Sequence, residues 1–316
     1  MPAASSRPVC VLGLGLIGGS LLRRLAGTRT TFGYNRSVAT VEAAVADGYD
    51  ASGDLAQTLA RAAAEDAVIV LATPATALGS IIDAVAEHAP TCLVTDVVSV
   101  KEEVARIVAD RHPRARYVGG HPMTGTVHSG WDATDPDLFT DAMWMVTTHD
   151  DTDADDWLAV AEIARAAGSY VVPAANDAHD RAAAAISHNP HLTAAVTAAV
   201  GAGESRLPLR LAAGSFRDGT RVAATPPELQ RAMLEANAVS LLNTLSETID
   251  RLVAARDRLR DLGDVAAVVE AGHRARLAYE EIASGEVEPI VGVTVGEAGW
   301  AQELRRQAHQ ARVWIG

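Results

Sequence analysis

Gly13-Leu14-Gly15-Leu16-Ile17-Gly18 narrows the possible folds of this chain more than any other segment. It follows an apolar run at 9–12 and opens a second apolar stretch, the strand–turn–helix setting in which G-x-G-x-x-G carries meaning. There Gly13 permits the tight turn, Gly15 lets backbone approach a pyrophosphate, and Gly18 lets helix and strand pack closely. Leu16 and Ile17 stand at the helix N-terminus, whose free N–H groups and partial positive charge suit phosphate. The expectation is a dinucleotide-binding βα turn.

The rhythm around the turn agrees with it. Short apolar runs at 9–12, 31–34, 67–72, 91–95, 116–118, 143–147 and 169–172 alternate with helical stretches, the pattern of βαβ units building a mostly parallel sheet. Their hydrophobicity is continuous, as expected of strands covered on both faces. Thr73 and Pro74, just after the run at 67–72, join the expected cofactor site. The end of the second strand, about 20 residues past the fingerprint, selects between dinucleotides. It reads Tyr34-Asn35-Arg36-Ser37, without the carboxylate that would accept from a ribose 2′-hydroxyl. Arg36, with Asn35 and Ser37 as small donors, suits a 2′-phosphate, so NADP is expected over NAD.

After Pro173 the chain turns Ala- and Leu-rich. Asn176 can cap one helix, and Pro226-Pro227 can open another reaching roughly residue 260. Leu229, Met233, Ala236, Leu241, Leu245, Ile249 and Leu252 follow helical spacing and read first as core, with a homodimer seam as a second use. The domains are therefore expected at 1–173 (dinucleotide-binding) and 174–316 (helical), with a cleft at the hinge. A chain of 316 residues fits two domains of about 100–200 residues each.

Charge limits the partners. With 27 basic and 40 acidic side chains, a net charge of −13 argues against nucleic acid or an anionic membrane and for a small-molecule ligand. An anionic ligand must then be held by a local arginine. Of the basic residues 26 are arginine; Lys101 is the single lysine. Cys10 and Cys92 lie in apolar runs, too few for a disulfide framework or a thiolate metal site. The glycines in 9–22 make that run a folded turn rather than a signal peptide, so a cytoplasmic protein is expected.

Three further segments carry polar side chains that packing does not explain. They are Thr95-Asp96-Val97-Val98-Ser99-Val100-Lys101, Gly119-Gly120-His121-Pro122-Met123-Thr124-Gly125, and Ser187-His188-Asn189-Pro190-His191. With the fingerprint and Phe216-Arg217-Asp218-Gly219-Thr220-Arg221, they resemble the prephenate/arogenate dehydrogenase family of tyrosine biosynthesis, in family order from Val9 to about Asn243. The resemblance implies an α/β fold: an N-terminal Rossmann-like domain followed by an all-α dimerisation domain, hence a homodimer. It also implies oxidative decarboxylation of prephenate or arogenate with hydride transfer to NAD(P). By the same resemblance His121 is the catalytic base, suited by an ordinary pKa of about 6.5, and Ser99 orients it or bonds the same hydroxyl. Arg221 binds a substrate carboxylate, and His188, His191 and Ser187 lie near the substrate. His179-Asp180 fits the pattern and reads as structural; Lys101 reads as solvated in a helix's first turn.

The chain departs from the family at Asn189 (often leucine), Val98 (often glycine) and Gln230 (often a tryptophan near the substrate). Gln230 changes pocket polarity, and Asp218 could meet an ammonium or hold Arg221, so prephenate and arogenate both stay open. Two rivals remain: a β-hydroxyacid-type dehydrogenase, disfavoured because no lysine follows Lys101, and a non-catalytic NADP-binding protein. No metal is expected, since His188 and His191 lack a carboxylate and a third ligand.

Overall fold

A computed structural model describes residues 7–126, 128–203 and 205–316. They fall into two compact units, one of residues up to His179 together with Glu288–Gly316, the other Asp180–Val287.

The first unit is built on a six-stranded parallel sheet. Its strands are β1 (Val9–Leu12), β2 (Thr31–Tyr34), β3 (Ala51–Ser52), β4 (Val68–Leu71), β5 (Leu93–Asp96) and β6 (Arg116–Tyr117), in the order β3-β2-β1-β4-β5-β6. β1 and β4 are wholly buried, which explains their unbroken apolar sequence. The register aligns Leu12 with Tyr34 and Leu71, and Leu71 with Asp96. The segments that follow these four residues therefore emerge together along one carboxyl edge. The free thiols of Cys10 and Cys92 are buried, as hydrophobes.

A second, smaller sheet joins β7 (Gly120–Pro122), β8 (Met143–Thr147) and β9 (Tyr170–Ala174), with β7 antiparallel and β9 parallel to β8. The three-residue β7 is too short to stand out in the sequence. The stretch 288–316, expected in the helical domain, belongs to this first unit instead. Its helix Trp300–Ala308 packs on β9, the Trp314 N–H donates to the Val171 carbonyl at 2.8 Å, and Trp157 meets Trp300 and Trp314 edge-on. The buried aromatic area of Trp157, Trp300 and Trp314 draws the tail here.

The second unit is helical. The two compact units divide inside the helix Asn176–Ala183, a few residues past 173, and Asn176 is that helix's first residue rather than its cap. A π-turn at Ala184–His188 follows, then Asn189–Ala202. Pro190 has no N–H to give and its ring crowds the carbonyl a turn earlier, the kind of conflict a π-turn relieves. The helix expected from 226 to about 260 is broken into Pro227–Ala236 and Ala238–Leu262 at Asn237. Of its apolar positions Leu241 is buried, whereas Leu229, Ile249 and Leu252 are exposed, so core packing does not account for them. No helix among the described residues is long and apolar enough to cross a membrane.

Candidate functional site

The glycine turn sits where the register brings β1, β2 and β4 to their common edge. Gly13, at φ 107°, donates its N–H to the Tyr34 carbonyl at 2.8 Å, and a Cβ there would lie 2.6 Å from the Ala72 carbonyl oxygen. A Cβ on Gly18 would collide with the Gly13 carbonyl. Gly15 is different: nothing lies within 4 Å of where its Cβ would be, so the space it keeps open faces away from the protein. The helix Leu16–Leu25 begins there with no side-chain cap and no acidic residue in its first turn. Its N–H groups stay available to an anion. The Thr73 hydroxyl, buried just beyond β4, has no hydrogen-bond partner. An open cradle, uncapped donors and an unpaired hydroxyl fit a dinucleotide's pyrophosphate and ribose.

The three residues expected at a 2′-phosphate are not equivalent. The Asn35 carbonyl oxygen accepts from Leu14 N–H at 3.1 Å, bracing the turn, and Ser37 caps the helix Val38–Ala46 by accepting from Thr40 N–H. Only Arg36 is left with its side chain exposed and uncommitted among the described residues.

Next to this edge lies a buried polar cluster. The fully buried Asp96 carboxylate accepts from Val98 N–H at 2.8 Å, Tyr117 O–H at 2.7 Å and the Lys101 ammonium. Lys101 also donates to the Gly120 carbonyl at 2.6 Å. The expectation of a solvated Lys101 is wrong: the side chain is 0% exposed. The reason is geometric, since its helix starts at Glu102 and Lys101 precedes it, turned onto the strand ends.

One ion pair thus ties the loop carrying Ser99 to the strand carrying His121. Ser99 is half-buried and its hydroxyl makes no hydrogen bond among the described residues. His121, also half-buried, is fixed in β7 opposite Met145, and its Nδ1 lies 2.8 Å from Nε2 of the buried His179. Two ring nitrogens at that distance share one hydrogen, so each ring constrains the other's tautomer.

In the helical unit, Arg221 begins the short turn Arg221–Ala224, which packs on Asn189–Ala202. Its guanidinium is exposed and has no ion-pair partner among the described residues, unlike Arg217, whose Nε bonds Asp218 at 3.1 Å. Asp218 therefore pairs with Arg217 rather than holding Arg221. His191 lies close enough to Arg221 that burial, and then that positive charge, push its pKa below the usual imidazole value; the Val222 backbone opposes this. Its Nδ1 is buried without a partner. Gln230 donates to the His191 carbonyl at 3.2 Å.

His188 is 1% exposed, which leaves it almost no surface to offer a ligand. The Asn237 amide donates one hydrogen to the Asp180 carbonyl at 2.8 Å and the other to His188 Nδ1 at 3.0 Å. The expected substrate contact for His188 therefore gives way to a packing role, because the residue that breaks the long helix turns an amide onto it. Ser187, in the π-turn, is half-buried. Sequence reasoning missed Asp96, Tyr117 and Asn237; a carboxylate ending an otherwise apolar strand was the one visible signal, at Asp96.

Residues 18–172 match the family model described as prephenate dehydrogenase, nucleotide-binding domain, and residues 175–270 that of the prephenate dehydrogenase dimerization domain. A curated relative, prephenate dehydrogenase of Bacillus subtilis, is 31% identical over 258 residues, covering 76% of this chain and 67% of the relative. A solved structure of a candidate prephenate dehydrogenase from Corynebacterium glutamicum is 46% identical with a TM-score of 0.92, covering 98% of this chain and 99% of that one. Synechocystis arogenate dehydrogenase gives 29% and 0.75 over 86% and 99% of the two chains. The glycine turn, the strand of His121 and the turn of Arg221 are thus set in the two halves of one enzyme type, and the chain belongs to the prephenate dehydrogenase family.

Proposed function

We propose that this chain catalyses oxidative decarboxylation of prephenate, arogenate or both, using NADP in preference to NAD, as a homodimer in the cytoplasm. The observation that carries this reading is the held imidazole of His121 on an element tied to the edge where the dinucleotide turn lies. Gly13, Gly15, Leu16, Ile17, Gly18, Thr73 and Pro74 would hold the dinucleotide, with Arg36 at its 2′-phosphate and Asn35 and Ser37 shaping that turn. When bound, the dinucleotide supplies the hydride acceptor.

His121 takes the proton of the ring hydroxyl through Nε2 as that carbon becomes a carbonyl, and departure of the ring carboxylate as carbon dioxide makes the ring aromatic. Ser99, with an uncommitted hydroxyl, bonds the same oxygen and aligns it. Arg221 pairs with a substrate carboxylate, as an unpaired exposed guanidinium on an acidic protein can. His191, neutral near pH 7 because its pKa is lowered, serves there as a hydrogen-bonding group, with Ser187 and Gln230 beside it. Asp218 is the residue through which an ammonium substituent would be recognised. The exposed apolar side chains Val239, Leu242, Ile249 and Leu252 on one long helix favour dimerisation through the helical unit.

The test is turnover followed at 340 nm with each substrate and each dinucleotide, four combinations in all. NADP reduction with prephenate or arogenate is expected; none in any combination would end the reading.

A further inference from the structure

We propose that Asp96 and Lys101 are positioning residues whose buried ion pair sets the spacing between Ser99 and His121, and so governs turnover rather than binding. The proposal rests on Ser99 and His121 as the groups that meet the ring hydroxyl. β7 is the edge strand of its sheet, in the order β7-β8-β9, so β8 supports it from one side. Thr147 N–H donates to the Gly119 carbonyl at 2.9 Å, and Met123 N–H to the Met143 carbonyl at 2.8 Å. Backbone groups alternate in direction along a strand, so Gly119, His121 and Met123 face β8 while Gly120 faces away from it. What meets Gly120 on that outer side is the ion pair. Its carbonyl accepts from the Lys101 ammonium at 2.6 Å, and its N–H reaches Asp96 Oδ2 at 3.4 Å. The approach is close enough that a Cβ on Gly120 would lie 2.8 Å from the Asp96 carbonyl oxygen.

The same carboxylate acts on the other segment. Asp96 Oδ1 accepts from Val98 N–H at 2.8 Å, which fixes the turn that Ser99 continues. One side chain therefore holds the residue before Ser99 and the residue before His121, and Lys101 closes the link from within the Ser99 loop. An apolar pair of similar volume often fills such a space without loss of stability, but it bonds no carbonyl and no N–H. Without the pair, β7 keeps its bonds to β8 and loses its outer anchor to β5. A displacement of 1 Å between reacting groups costs about 100-fold in rate. The dinucleotide turn, carried by β1, β2 and β4, is untouched by that displacement.

The test separates positioning from stability. In the double variant Lys101→Met with Asp96→Asn no charge is left buried alone, yet Met donates nothing to the Gly120 carbonyl. The single amide oxygen of Asn serves the Val98 side or the Gly120 side, not both. Its unfolding midpoint in urea should lie nearer wild type than that of Lys101→Met alone. Its kcat should nevertheless stay roughly 30-fold or more below wild type, with KM for substrate and dinucleotide changed less than about threefold. Ser99→Ala is then made in both backgrounds. A loss of about tenfold or more in wild type should shrink to under about threefold in the double variant, because the serine is already misaligned there. Asp96→Glu keeps both charges and shifts the carboxylate by one methylene; it is a second background in which the same shrinkage is expected. Turnover that recovers along with stability, or a Ser99→Ala loss of equal size in every background, would overturn the proposal alone. A wild-type enzyme that loses nothing by Ser99→Ala would overturn the reading of Ser99 and the proposal with it.

Discussion

Lys101, the chain's single lysine, is paired with Asp96 at a point where both side chains are wholly buried. Every other basic position is arginine. An ammonium fits here because it can donate to a carboxylate oxygen and to the Gly120 carbonyl from one compact centre, where a planar guanidinium would need more room.

Removing one partner would leave the other charge buried alone. Lys101→Met is expected to lower unfolding free energy by about 3–5 kcal/mol in urea titration, the usual loss for a broken buried pair. Lys101→Arg should also destabilise, through overpacking. The double variant Lys101→Met with Asp96→Asn should recover part of the loss; a single variant as stable as wild type would refute the assignment.

Gly15 and Gly18 separate ligand binding from folding. Gly18→Ala forces a Cβ into the Gly13 carbonyl and should lower Tm by several degrees. Gly15→Ala meets no protein atom at an ordinary φ of −78°, so Tm should hold while dinucleotide affinity falls at least tenfold, read by calorimetric titration.

Arg36 is the test of dinucleotide choice. A charge-assisted hydrogen bond contributes about 1.5–3 kcal/mol, so Arg36→Ala should raise KM for NADP about 10- to 100-fold and leave KM for NAD nearly unchanged. An unaltered NADP/NAD ratio removes Arg36 from the role.

Arg221 links binding to a titration. Its charge is the second cause, after burial, of the lowered His191 pKa. Arg221→Ala should therefore raise that pKa toward the ordinary value in an NMR titration, and raise substrate KM about 30-fold or more, with Arg221→Lys a poor substitute. The sign for stability follows: a base whose folded pKa is lowered favours the fold above its unfolded pKa of about 6.5. That contribution is lost as pH falls below 6.5 toward the folded value, and the loss should shrink in Arg221→Ala.

The C-terminal stretch is part of the first unit. Leu304 is fully buried, and Leu304→Ala should cost about 2–5 kcal/mol. A chain ending at residue 287 should lose the edge contacts of Trp157 and show a lower Tm; an unchanged Tm would place the tail outside the fold.

Local rules made much of this legible in the sequence. The fingerprint after β1, the buried parallel strands and the ordered motifs around His121 and Arg221 depend on short-range requirements: a positive φ at Gly13, period and burial in β4, a turn at a strand end. What distant segments do to one another was not written locally. Lys101 is buried because β5 and β7 converge on it, and Asn35 and Ser37 are spent on the turn and the cap. The rings of His179 and His121 meet only because a helix 58 positions further along the chain brings one to the other. The return of the tail to β9 is of the same kind. Sequence determines which elements form, since that is settled by neighbours along the chain; which polar groups remain free for chemistry is decided only once folding has assigned a partner to all the others.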